Sequence, residues 1–265
     1  MTMHHLGETR SRRAADHLLQ TPDTFVWAPL PGMVNCTACV HAAPALGAKF
    51  TQYTALFESE GTLGSACGSR FVFVLEGTLH FQGDGRNATL GVGGYCFVPA
   101  NVAHTISCIG SSARAVVIEK PYQPLPNVPA PQVLIASEGS IPPEPLMGDD
   151  TLDVRALLPS DVAYDFAVNT MEYQPGASLS MMEIHVMEHG LLMLEGNGIY
   201  RLNDAWYPVT KGDFIWMAPY CPQWFGALGK QPAKYLIYKD WNRHPGEQPR
   251  RHSRWMQLGC SMRWT

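Results

Sequence analysis

The chain has 265 residues, of which 46% are apolar and 16% charged, with a formal net charge of −4. That is enough apolar material for one large core or two smaller ones, and the mild acidity excludes a general electrostatic field for nucleic acid or an anionic membrane surface. No window approaches the roughly 18 to 20 apolar residues of a membrane span, and MTMHHLGETRSRRAADHLLQ holds no apolar run of signal-peptide length, so the expectation is a cytoplasmic protein acting on a small molecule.

In chain order, residues 1–44 read as an N-terminal arm, within which residues 11–20 carry the one amphipathic pattern of near-helical length. Toward its end, NCTACVHAAP contains a single C-x-x-C formed by Cys36 and Cys39. No second pair of matching spacing makes a zinc ribbon, and no strand-to-helix context makes a redox motif, so these thiols are expected to be structural. Seven cysteines, an odd number scattered along the chain, suit reduced thiols better than a disulfide framework.

From residue 45 onward, short runs rich in Val, Ile, Leu, Phe, Tyr and Trp alternate with turn clusters such as EGT, GDGRN, EGNG and LNDAW, which predicts all-β structure. RFVFVLEGTLHF (70–81) aligns with HGLLMLEGNGIY (189–200) at a separation of 119 residues. The same separation brings Gly93 onto Gly212 and Lys120 onto Lys239. A register that persists in this way marks a duplication. The copies are predicted at 45–120 and 150–243, each a sandwich or barrel of antiparallel strands. Between them, 121–149 reads as a linker, because residues 121–145 hold eight of the chain's 21 prolines. Residues 244–265 are a C-terminal tail.

In the second copy, MEIHVMEHG (182–190) sets two histidines and two glutamates in an apolar run. On a strand, Glu183 and His185 share one face about 6.5 Å apart, within reach of one ion. A continuous strand would carry His189 roughly 13 Å beyond His185, so the chain is expected to bend near Met187 and Glu188. HVMEH also matches H-x-x-E-H, an inverted zinc-peptidase motif on a helix. That helix would have to fit between Pro175-Gly176 and Gly190, with the β-like LLMLEGNGIYRL immediately following and the repeat placing the segment on a strand register, so it is the lesser alternative. Metal-free polar groups in a barrel interior are the plainer alternative. Glu188 and Glu195 read as turn residues.

An apolar strand, a ligand cluster, E-G and then G-D-x-x-x-x-x-P resemble the two motifs of cupins, and the duplication resembles a bicupin, two tandem jelly-roll β-barrel domains. The resemblance implies that His189 is the third ligand, followed seven positions on by Gly196, and that the fourth is Gln223, 11 residues after Gly212. The matching positions of the first copy are Gly64, Ala66, Arg70 and His104. Its metal site is therefore expected to be lost, leaving a structural or oligomerising role. A carboxylate, two imidazoles and an amide oxygen favour Mn2+ or Fe2+ with open positions, with zinc less favoured. Two histidines and one carboxylate also serve non-haem iron oxygenases, so an iron-dependent dioxygenase and a non-catalytic small-acid-binding cupin stay open.

MEIHVMEHGLLMLEGNGIYRLNDAWYPVTKGDFIWMAPYCPQWFGALGK and YLIYKDWNR resemble, over 182–243, the C-terminal half of the (S)-ureidoglycine aminohydrolases, manganese bicupins of allantoin catabolism. That resemblance implies a metal held by Glu183, His185, His189 and Gln223, and ureidoglycine contacts from Tyr200, Gln223, Tyr235 and Lys239. It also implies Glu183 and Lys239 as the catalytic pair, and a homo-oligomer. In YLIYK the alternation puts Tyr235, Ile237 and Lys239 on one strand face and turns Tyr238 outward. A solvated strand end is the alternative for Lys239, and Lys120 is its comparison in the first copy. Tyr200 could equally be an aromatic wall of the barrel.

Overall fold

The structure is a computed structural model that describes residues 8–66 and 68–243. Its strands are β1 (Arg12–Arg13), β2 (His17–Gln20), β3 (Met33–Ala42), β4 (Thr51–Leu63), β5 (Ser69–Gly83), β6 (Arg86–Leu90), β7 (Gly94–Val98), β8 (His104–Lys120) and β9 (Leu134–Ser137). They continue with β10 (Glu144–Leu146), β11 (Asp149–Ala156), β12 (Ala167–Tyr173), β13 (His189–Glu195), β14 (Asn197–Leu202), β15 (Ala205–Thr210), β16 (Phe214–Met217), β17 (Gln223–Leu228) and β18 (Ala233–Lys239). No α-helix occurs among the described residues, and the helix-like 11–20 pattern forms β1 and β2. The amphipathic faces of that segment are satisfied by sheet pairing, since β2 lies antiparallel to β16 with Leu19 buried.

Two sheets repeat one order. β9-β7-β5-β8-β4-β3 in the first copy corresponds to β2-β16-β13-β18-β12-β11 in the second, and β15-β14-β17 closes the second barrel. The leading strand of each copy therefore completes the other's sheet, β2 on β16 and β9 on β7. Segments read from sequence as arm and linker are thus woven into the sheets, and β3 within the arm pairs with β4.

Backbone conformation records the duplication closely. Left-handed residues recur at a separation of 119: Gly77 and Gly196 at φ 73° and 70°, Asp84 and Asn203 at 53° and 55°, Asn101 and Tyr220 at 66° and 65°. Such turns constrain the chain more tightly than side-chain identity does. Gly110 and Gly229, both at φ 95°, keep the spacing. Beyond them the second copy carries one extra residue. Arg70 faces Glu119 across β5 and β8, whereas His189 faces Lys239 across β13 and β18. The counterpart of Lys239 is therefore Glu119, and the alignment of Lys120 with Lys239 is corrected by one position.

Three cores follow from strand alternation. One fills the first barrel around Phe57, Phe81 and Val117, and one fills the second around Tyr173, Tyr200 and Phe225. The third lies between the domains and is rich in aromatics, including Phe50, Phe97, Phe166 and Tyr238. Tyr238 faces out of its barrel as expected, but it is fully buried and stacks on Phe50 with centroids 3.9 Å apart. Lys120 is no solvated strand end either: its ammonium meets Asp165 Oδ2 at 2.7 Å, both residues being buried at this interface. Cys36 and Cys39 lie on β3 as free, buried thiols, and three residues along a strand place them on opposite faces, so they form no ligand pair.

Candidate metal centre

The strand expected over Glu183 and His185 does not form. Residues 174–188 run irregularly along the barrel mouth, pinned by bridges of Ser178 to Gly226 and Glu183 to Gln223. Proline and glycine at 175 and 176 end β12's run, and the Glu183 and Gln223 backbones then exchange hydrogen bonds of 2.8 and 3.0 Å. A bend at Val186 turns the chain so that His189 opens β13, and the Tyr220 N–H holds the His185 carbonyl at 2.7 Å. The helical zinc-peptidase alternative is excluded by this geometry. Glu188, its required third member, points into the domain interface.

The four predicted ligands converge at the open end of the second barrel. His185 Nε2 lies 3.3 Å from His189 Nε2, 2.9 Å from Gln223 Nε2 and 3.9 Å from Glu183 Oε2. Two facing imidazole nitrogens with a carboxylate and an amide are a donor set that suits one divalent cation. His189 Nδ1 donates to the Tyr238 carbonyl at 3.1 Å, which fixes the ring and leaves Nε2 facing inward. Burial, reinforced by His185 and Lys239, holds the His189 pKa well below its ordinary value, so the ring is the neutral ligand form. His185 Nδ1 is buried without a partner. Gln223 Nε2 faces His185, and exchanging the amide's O and N would present Oε1 there in place of its contact with Tyr200. These residues fit a hard or borderline divalent metal. Among the described residues, the group of histidine, cysteine and acidic side chains whose ligand atoms all lie within 4.8 Å of one another is a different one, Asp16, His17 and Cys221. There both ring nitrogens of His17 are engaged at 2.8 Å, Nδ1 with Asp16 and Nε2 with the Tyr207 hydroxyl.

The remaining predicted residues line the same interior. Tyr200 donates to Gln223 Oε1 at 3.3 Å, and Tyr235 shares a 2.7 Å hydrogen bond with Tyr173. Lys239 stands directly opposite His189, and burial lowers its pKa while the Glu183 charge opposes that shift. With its donors and acceptors matched, the Asn169 amide accepts from Lys239 Nζ at 3.2 Å. Asn169 and Tyr173 were missed from sequence. Their signal was present in AVNTMEY, where Asn169, Met171 and Tyr173 alternate onto the inner face of β12. Glu188 is not a turn residue. It is buried, accepts the Lys49 N–H at 2.8 Å, and burial pushes its pKa up to about 7. Glu195 is likewise a strand residue, the exposed last position of β13 opposite Lys234, directly before the Gly196 turn.

Residues 67–119 and 169–238 match the Cupin domain family. The chain is 41% identical over 244 residues to (S)-ureidoglycine aminohydrolase of Arabidopsis thaliana, covering 90% of this chain and 80% of that protein. It is 30% identical over 231 residues to (S)-ureidoglycine aminohydrolase of Escherichia coli (strain K12), covering 85% and 88%. Among solved structures, protein Ylba from E. coli superposes with a TM-score of 0.80 at 27% identity, over 92% of this chain and 98% of that one.

Proposed function

The chain belongs to the (S)-ureidoglycine aminohydrolase family, and from that premise we propose that it replaces the amino group of (S)-ureidoglycine by water, giving (S)-ureidoglycolate and ammonia, at a manganese site in its C-terminal barrel. The observation that carries the reading is the convergence of His185 and His189, Nε2 to Nε2 at 3.3 Å, with Gln223 and Glu183 beside them and Lys239 on the facing strand. A bound divalent ion supplies chelation of the substrate and stabilisation of charge on its oxygens. Glu183, His185, His189 and Gln223 would hold it.

The chain's own residues account for the rest. Lys239, its ammonium buried and held by Asn169, pairs the substrate carboxylate, and its lowered pKa suits it to pass a proton to the departing amine. Glu183, the carboxylate of the cluster and partly exposed, takes the proton from the attacking water. Tyr200 and Tyr235 wall the pocket and present hydroxyls beside Gln223 and Tyr173, orienting the ureido group. The substrate is a small molecule, the assembly a homo-oligomer and the compartment cytoplasmic, a setting that suits the five described cysteines, all free thiols.

Ureidoglycine also loses ammonia unaided, so product chirality is the test. Purified protein with Mn2+ is expected to give (S)-ureidoglycolate above the background rate with no oxygen uptake. Racemic product at background rate with manganese bound would reject the reading. Oxygen uptake with Fe2+ would favour the dioxygenase, which the two-histidine, one-carboxylate set of Glu183, His185 and His189 keeps as the second reading.

A further inference from the structure

Both strands that deliver the site are flanked at the site by an acidic residue turned the other way. Glu188 precedes His189 and Asp240 follows Lys239, and alternation buries both carboxylates at the domain interface while their neighbours face the barrel interior. One residue of the first domain meets them both. The Lys49 N–H donates to Glu188 Oε1 at 2.8 Å, and the Lys49 ammonium lies 3.9 Å from Asp240 Oδ2. The two strand ends are also tied to each other, since the Glu188 N–H donates to Asp240 Oδ1 at 2.9 Å. The Trp216 indole reaches Glu188 Oε2 at 3.3 Å. Next to this hub, Phe50 and Gln52 of the first domain fill the space that a side chain on Gly190 would need.

We propose that the first domain, which has no ligand set of its own, is a working part of the site in the second, and that Glu188 is the positioning residue through which it acts. Apolar packing is non-directional. Hydrogen bonds to a fixed backbone N–H are directional. Here they hold the ends of β13 and β18 in the register that keeps His189 opposite Lys239. No side chain adjacent to His189 can touch the ligand cluster, so its ring is aimed by the backbone at 188–190 and by the Tyr238 carbonyl, and Glu188 fastens that backbone to the other domain. Outer partners of this kind govern metal affinity without touching the metal. The inference rests on the metal reading above.

The test is Mn2+ affinity of the full chain, measured by titration calorimetry and by the free-Mn2+ paramagnetic resonance signal, beside thermal unfolding of the metal-free protein. Glu188→Ala is expected to weaken binding about tenfold or more, the usual cost of removing an outer partner. Glu188→Gln, whose Oε1 still accepts the Lys49 N–H, stays within about threefold of wild type. Glu188→Asp draws the carboxylate back by one methylene and gives a milder loss, which keeps the test decisive where Ala prevents folding. Phe97→Leu thins the same interface away from the hub and lowers the melting temperature with affinity unchanged. Wild-type affinity in both Glu188→Ala and Glu188→Asp, or an equal loss in Phe97→Leu, overturns the proposal. A wild-type chain that binds no divalent ion overturns the metal reading itself.

Discussion

Arg70 donates to His104 Nε2 at 2.9 Å in the first barrel, at the places that His189 and Gln223 take in the second. The same guanidinium pairs with Glu119 at 2.8 Å and with the Gly64 carbonyl. A cation that cannot be deprotonated thus sits, covalently tethered, where the other copy places His189 and Gln223. The chain should bind one divalent ion, with His104→Ala leaving that stoichiometry unchanged. His185→Ala should abolish binding in a folded protein, as Ala66 at the matching place of the first copy implies. Elemental analysis of both variants after Mn2+ loading and desalting checks this, and metal lost from His104→Ala would contradict it.

Lys239 and Asn169 separate binding of the ion from action on the substrate. Lys239→Met should keep stoichiometric metal and lose turnover by two or more orders of magnitude, the scale on which a general acid contributes, about 100-fold or more. Asn169→Leu removes the acceptor for the ammonium and should lower kcat/KM by about tenfold with metal retained. Steady-state kinetics with metal content measured on the same samples decides both. Loss of metal in Lys239→Met would make the lysine part of the ion site.

His41 offers a pH signature away from the metal centre. It is buried, stacked on Phe214, and bonded to Gln20 and Thr54 at 2.8 Å each, and burial lowers its pKa to about 3. The unfolded chain takes up a proton near pH 6.5 that the folded chain refuses until about 3, so this group's contribution is present above 6.5 and lost as pH falls through that window. Glu188, raised to about 7, has the opposite trend because the folded state there holds the proton more tightly. Comparing wild type with His41→Gln cancels Glu188. The stability difference should shrink by up to about 1.4 kcal/mol per pH unit below 6.5. Urea unfolding between pH 7 and 4 measures it, and parallel curves would count against the assignment.

The Lys120–Asp165 pair tests the interface. Lys120→Met strands a buried carboxylate and should cost about 3–5 kcal/mol, whereas Lys120→Met with Asp165→Leu should recover most of that loss. Denaturant unfolding of the three proteins is sufficient. Additive losses would show that the two side chains are not coupled.

How much of this could be read from sequence depends on what each signal encodes. The duplication was legible because turns such as EGT and EGNG leave glycine at fixed left-handed positions, and Gly77 and Gly196 keep them. Glu183 and His185 were legible from strand spacing, whereas His189 and Gln223 joined them only through the resemblance to cupins. The conformation that brings them together was not legible: an irregular segment replaced the expected strand, since the Glu183–Gln223 bridge anchors only a single residue pair. One extra residue after Gly229 moved the counterpart of Lys239 to Glu119, a change no local pattern marks. Tyr238, Lys120 and Glu188 carry ordinary surface positions in their own barrels, and only the approach of the opposite domain buries them.

The reciprocal placement of β2 on β16 and β9 on β7 has an ancestral meaning. Each half lends the other one strand, as two arm-exchanging subunits would, with the proline-rich segment as the suture between them. Neither half keeps a closed sheet edge without a strand from the other, so deletion of the first copy with its leading strand would strip β16 of its neighbour and expose a row of unpaired amides. Divergence could therefore erase chemistry from one half while its presence stayed compulsory. A gene cut within the suture and expressed as two pieces together should reassemble, and either piece expressed singly should aggregate.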